Sequence, residues 1–248
     1  MTTSAKLSQH HYPVLETKRL LYKLLFKPDR YRDLLEEHSS RNISRLAWGN
    51  ADAAPRLRTV TMALLTVISP AGALPNVISP LAYLPTFMSP WKKYEKERYA
   101  EERDFFLSQQ AQVRKDWLKG TAKPCYMQMF FDSQEKSQVD DLEGAYQVGM
   151  MAIAGALTIA SPLMSFVLAM VLHPEWLSKL QQEIDTVCGE RLPEMRDMGN
   201  LPVLRSIVKE VIRWRPPVPT GIPHASVKDH VYEGYFIPAG ATIHAMEW

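Results

Sequence analysis

The sequence predicts a mainly α-helical protein, and three features carry that prediction. Residues 144–172, GAYQVGMMAIAGALTIASPLMSFVLAMVL, run twenty-nine positions without a charge. Apolar side chains recur at helical spacing elsewhere, above all over 175–187 and 201–214. Extended patterns are confined to the C-terminal end, so the expected sheet is small.

Taken in order, residues 1–13 are polar and read as a disordered tail ahead of a folded region, 14–248. From Leu15, the leucines 20, 21, 24 and 25 predict a short amphipathic helix stopped by Pro28. A second helix is expected from about Pro28-Asp29 to Trp48, with Tyr31, Leu34, Leu35, Ile43 and Leu46 inward and Gly49 ending it. Residues 50–90 carry prolines at 55, 70, 75, 80, 85 and 90, which predicts short apolar helices within loops. Such a segment suits a wall over a hydrophobic ligand, a surface touching membrane, or a plain connector.

Residues 91–118 reverse the composition. Charges at i,i+4 spacing predict a long solvated helix with an inner stripe of Trp91, Tyr94, the Arg98 stem, Phe105, Val113 and Trp117. Residues 119–140 read as a linker or short helix carrying Cys125. Asp140, Asp141 and Glu143 then precede the apolar run, where carboxylates suit the positive end of a helix dipole.

The apolar run itself admits two readings. About 20 such residues can span a bilayer, and a helix apolar all round can equally be the buried centre of a large domain. Within it lie Gly155, Thr158 and Pro162. Proline offers no N–H to the Thr158 carbonyl, so the helix should loosen between 155 and 162 and leave a small polar notch. The notch is either a kink filled by neighbours or a groove for a ligand. Beyond it, the face Trp176, Leu177, Leu180, Ile184, Val187 predicts one helix, and Leu204, Ile207, Val208, Val211, Ile212 another, stopped by Pro216-Pro217. Residues 231–237 and 242–244 flank Pro238-Ala239-Gly240 and predict a β-hairpin.

Composition excludes several functions. Lys+Arg 29 against Asp+Glu 27 leaves a net charge of +2, without the basic footprint that nucleic acid requires. Two cysteines rule out a disulfide framework and a four-cysteine zinc site, and they favour a reducing, intracellular setting. The first twenty-one residues hold no apolar run, so neither a signal peptide nor a membrane anchor is expected there.

Glu210 and Arg213, at i,i+3, are by themselves an ordinary helical ion pair. Their context gives them meaning. Ala154-Gly155-Ala156-Leu157-Thr158 is followed by HPEWLSKLQQEID, then LPVLRSIVKEVIRWRPPVP, then GIPHASVKDHVYEGYFIPAGATIH. In that order the chain resembles a cytochrome P450 of the fungal microsomal type, from about residue 14 to 248. The fold implied is a partial P450 fold, mainly α, with a long buried central helix, flanking helices and a small C-terminal β-hairpin. The resemblance implies that Glu210 and Arg213 lock the core as the family's Glu-x-x-Arg pair. It implies that Gly155 lets backbone approach the oxygen-binding side and that Thr158 helps deliver protons there. Ala154, Val218, Thr220 and Ile222 become substrate-lining positions, and His224 the basic residue beside a haem propionate.

Two departures stand out. The acid that the family places before the threonine is Leu157 here, and leucine relays no proton, so peroxide leakage or a substrate-assisted route is expected. The loop carrying the ligand cysteine is missing, as are the family's opening sheet and anchor, so the resemblance is to a P450 truncated at both ends. In complete form it implies a haem-thiolate monooxygenase of specialised metabolism. Haem b would be its cofactor, NADPH-cytochrome P450 reductase its electron donor and an apolar small molecule its substrate. Complete relatives are expected on the endoplasmic reticulum surface, and a chain without the anchor in the cytoplasm. The alternative is a non-catalytic P450 remnant or helical interaction module without haem. A single-span membrane protein rests on the apolar run alone.

Overall fold

The computed structural model of the chain describes residues 11–68, 72, 74–76 and 78–246. The first ten residues of the expected tail lie outside these. Two compact units divide the chain, residues 1–160 and 161–248.

The first unit opens on α1 (His11–Phe26), which takes in residues 11–13 that the sequence assigned to the tail. Its buried stripe is Tyr12, Glu16 and Leu20, while Leu21 and Leu25 are exposed. The leucines thus divide, with Leu20 inward, Leu24 half-buried, and Leu21 and Leu25 turned out. The cause is ionic: Glu16 accepts from Arg41 at 2.7 Å and Arg45 at 2.6 Å on α2 (Tyr31–Trp48), and the tyrosine hydroxyl donates to the Pro124 carbonyl at 3.1 Å. Helix α2 ends as predicted on Gly49, whose φ of 77° and N–H to the Arg45 carbonyl form a left-handed cap.

Helix α3 (Ala54–Ile68) is a regular helix followed by 3-10 turns among the prolines. Helix α4 (Pro90–Leu118) buries Phe105, Phe106 and Val113, but also Glu102 and Gln110, which no apolar stripe could predict. The Gln110 amide donates to the Asp141 carbonyl at 2.7 Å, and Arg98 donates to Glu102 at 2.7 Å. Helix α5 (Tyr126–Ser137) is capped by Cys125, and α6 (Asp141–Thr158) by Asp140, which accepts from Glu143 N at 2.7 Å. The core of this unit gathers Trp48, Leu57, Phe105, Phe106, Met127 and Ile153.

The uncharged run forms α6 and then α7 (Ala160–Leu172), interrupted at Ile159 within the predicted interval. Among the described residues, 141–172 is the one helical stretch long and apolar enough to cross a membrane. Only 22% of its most apolar window is buried, so it is covered on one face and not all round.

In the second unit, α7, α8 (Pro174–Cys188) and α9 (Pro202–Trp214) enclose a small core of Ala169, Met170, Leu180, Ile207 and Val211. Val208 and Ile212, expected inward, are 46% and 45% exposed, because this core seats only the stripe through Ile207 and Val211. Glu183 accepts from the first free amides of α9, Val203 N at 2.8 Å and Leu204 N at 3.0 Å.

The sheet is small as predicted, but its pairing differs. Strands β2 (His230–Tyr232) and β3 (Tyr235–Ile237) form an antiparallel hairpin, and β1 (His224–Ala225) pairs with β4 (Thr242–Ile243). The hairpin turn is Glu233-Gly234, both at positive φ (48° and 85°), inside what the sequence read as one strand. The expected turn at Pro238 does form, with Ala241 N on the Pro238 carbonyl at 3.1 Å, but it leads to β4 and its partner β1.

Candidate functional site

The C-terminal end of α6 carries the first group of candidate residues. Thr158 Oγ1 donates to the Ala154 carbonyl at 2.6 Å, four residues back on the same helix. Ala154 is exposed and Thr158 half-buried. The Ile159 N–H turns to the Leu157 carbonyl, which marks the end of regular helix. Gly155 packs closely on α2 here. A Cβ at this position would stand 2.9 Å from both Cγ1 and Cδ1 of Ile43. Leu157 is half-buried and packs against the apolar core.

Sequence reasoning missed two residues facing this segment. Ser39 Oγ donates to the Gly155 carbonyl at 3.0 Å, and Ser40 Oγ to the Ala156 carbonyl at 3.2 Å. Both serines are fully buried. The signal that could have found them is the run of small residues Ser39, Ser40, Ser44 and Ala47 on one side of α2.

The second unit holds the remaining candidates. Arg213 binds Glu210 through two parallel bonds, Nε to Oε2 at 2.8 Å and Nη2 to Oε1 at 2.6 Å. The guanidinium holds the Glu210 carboxyl below its ordinary range. Both side chains are largely exposed, at 71% and 61%, so the pair adds little stability by itself. Glu210 also borders a groove of about 550 Å³ between α7, α8 and α9, walled by Met170, Trp176, Ile207, Val211 and Trp214.

After α9 the chain turns at Val218–Gly221, where Gly221 N donates to the Val218 carbonyl at 2.9 Å. Gly221 sits at φ +66°, and a Cβ there would come within 2.3 Å of the Ala245 carbonyl oxygen. Val218 is half-buried, whereas Thr220, Ile222 and His224 are exposed. His224 Nδ1 lies 2.8 Å from the Ile222 carbonyl, which leaves that edge of the ring engaged by its own backbone.

A haem-thiolate centre needs an accessible, ionisable cysteine, and the residues present do not supply one. Cys125 is fully buried, its sulfur caps α5 by accepting from Gln128 N at 3.4 Å, and burial pushes its thiol up to about 11. Cys188 is 7% exposed and lies 3.8 Å from Asp197, and burial and that carboxylate both raise it. Asp197 is itself held by Arg191 through two 2.7 Å bonds. No group of three or more His, Cys, Asp or Glu side chains suited to a metal ion occurs among the described residues.

Comparison with known structures defines the class first. A solved zebra fish cytochrome P450, determined with progesterone, superposes with a TM-score of 0.80 at 18% identity, covering 97% of this chain and 57% of that one. The fold is that of the cytochromes P450. The family model described as Cytochrome P450 matches residues 44–248, and the chain belongs to that family. Cytochrome P450 monooxygenase fogE of Aspergillus ruber is 33% identical over 244 residues, which are 96% of this chain and 45% of fogE. The monooxygenase virE of Hypocrea virens is 30% identical, over 99% of this chain and 46% of virE. The monooxygenase ple1 of Rhodocybe pseudopiperita is 40% identical over 148 residues, 58% of this chain and 28% of ple1. The chain thus spans about half the length of the two relatives that it matches throughout, and the family's haem-ligand cysteine motif is not among its 248 residues.

Proposed function

We propose that these 248 residues carry the oxygen-side helix and the core ion pair of a monooxygenase of fungal specialised metabolism. The substrate class is an apolar small molecule, with NADPH-cytochrome P450 reductase as electron donor and the endoplasmic reticulum surface as the site of action. The observation that carries this reading is the break of α6 at Ile159, directly after Thr158, in a chain whose family match runs from 44 to 248. We assign Thr158 and Gly155 to the oxygen groove and Ala154, Val218, Thr220 and Ile222 to the substrate wall. His224 is assigned to the edge of haem b, and Glu210 and Arg213 to the core beneath it. With Leu157 where an acid would relay protons, Thr158 is the one hydroxyl of the groove sequence, and its proton is held on the Ala154 carbonyl.

One observation favours a second reading, a non-catalytic remnant or interaction module. Neither Cys125 nor Cys188 presents a thiolate, so the 248 residues by themselves are assigned no oxidation chemistry. The test is turnover. The purified chain, given haem, reductase and NADPH, is expected to oxidise no apolar substrate above a haem-free control, while a chain extended to the length of its relatives does. Turnover by the 248 residues alone contradicts the first half of this expectation. Inactivity of the extended chain puts the remnant in its place.

A further inference from the structure

We propose that Ser39 and Ser40 on α2 are positioning residues that hold open the helical break beside Thr158. The functional meaning of that role rests on the oxygen-groove reading above, whereas the geometry does not. In an α-helix the carbonyl of residue i accepts from the amide of residue i+4. The Gly155 carbonyl therefore belongs to Ile159 N–H, and the Ala156 carbonyl to Ala160 N–H. Each is met by a serine hydroxyl from α2, at 3.0 and 3.2 Å. Ile159 N–H meanwhile turns to Leu157 O.

Two causes thus act on the same short interval from different sides. Pro162 withholds an N–H from the Thr158 carbonyl. The serines draw the two carbonyls before it toward α2, which weakens their hold on the amides of 159 and 160. A serine inside a helix usually donates to its own carbonyl four residues back. Ser40 divides its proton in this way, since the Glu36 carbonyl lies 2.9 Å away. The Ser39 hydroxyl is bonded across to α6, so Ser39 is the stronger pin. Ser44 supplies the internal contrast: it is equally buried on the same helix, and its hydroxyl has no hydrogen-bond partner among the described residues.

Amide hydrogen exchange on the full 248-residue chain tests the assignment without haem or substrate. In the Ser39→Ala/Ser40→Ala variant the freed carbonyls return to Ile159 and Ala160. Those two amides are expected to exchange about 3- to 10-fold more slowly, the factor that one hydrogen bond is worth. Amides of residues 148–152 serve as reference within the same molecule and are expected unchanged, as is the whole pattern in Ser44→Ala. Ser39→Ala alone, the milder change, is expected to slow Ile159 only. Unchanged exchange at 159 and 160 overturns the proposal. So does faster exchange along the whole of α6, which would make the serines simple glue between helices. Failure of the oxygen-groove reading in a turnover assay leaves the exchange result untouched, and an exchange failure leaves that reading untouched, so the two are separable.

Discussion

Glu16 shows most directly how single residues set this structure. It is 1% exposed, with the guanidinium groups of Arg41 and Arg45 bound to its two oxygens. Burial alone would raise its pKa, but the hydrogen bonds from the two arginines lower it further than burial lifts it. Glu37 behaves alike, burial opposed and outweighed by Lys23. His38, beside them on α2, is pushed below its ordinary value by loss of water, with Glu16 acting the other way. In all three cases the unfolded chain takes up protons at a higher pH than the folded chain does, so stability must fall as pH falls. The loss begins below about pH 6.5 through His38 and continues below about pH 4.3 through the carboxylates. Thermal midpoints measured from pH 7 to pH 3 should show both steps, and His38→Gln should abolish the upper one. Glu16→Gln should cost about 3–5 kcal/mol at neutral pH, because two partly buried guanidinium groups lose their anion. A midpoint that is flat across this range would remove the ionic cluster from the account. None of this was legible in the sequence. The partners lie 25 and 29 residues apart, and a buried glutamate looks like a surface one in a hydrophobic pattern.

At the scale of elements, α6 was the most legible part of the chain and α1 the least. An uncharged run needs no partner to be recognised, and a proline four residues after Thr158 forces its own disturbance. The inner face of α1 is chosen instead by an ion pair, so Leu20 turns inward while Leu21 and Leu25 point outward. The hairpin was misplaced for a similar reason: Pro-Ala-Gly is a stronger turn signal than Glu-Gly, although Glu-Gly supplies the two positive φ values that the hairpin uses. Glu210 and Arg213 could be found because one helix carries both. For Ser39 and Ser40 the one signal is the run of small residues on α2, since the carbonyls they bind lie 116 residues away. The glycines of α6 give a graded prediction. A Cβ on Gly149 would stand 2.5 Å from the ring of fully buried Phe106, whereas one on Gly155 meets the aliphatic branch of Ile43 at 2.9 Å. Overpacking costs about 1–3 kcal/mol, and alanine returns about 1 kcal/mol of helix propensity. A rigid ring yields less than an isoleucine arm. Urea unfolding should therefore place Gly155→Ala within about 1 kcal/mol of wild type and Gly149→Ala about 2 kcal/mol below it. Equal losses would mean that α6 does not seat on these side chains.

For the whole molecule, the fold and the family are established by agreement between pattern, architecture and relatives. The chemistry hinges on the group that these residues do not themselves hold. Both cysteines are used as packing: one caps a helix inside the first core, the other closes a loop against Asp197 in the second unit. That is why the family's fold can be read along nearly the entire chain while its metal ligand cannot. The most direct measurement is the absorption spectrum of the purified 248-residue chain mixed with haem, reduced and exposed to carbon monoxide. No strongly red-shifted, thiolate-type Soret band is expected. Such a band would contradict the packing role of both cysteines, because Cys125 or Cys188 would have to leave its packed position and ionise to reach the iron.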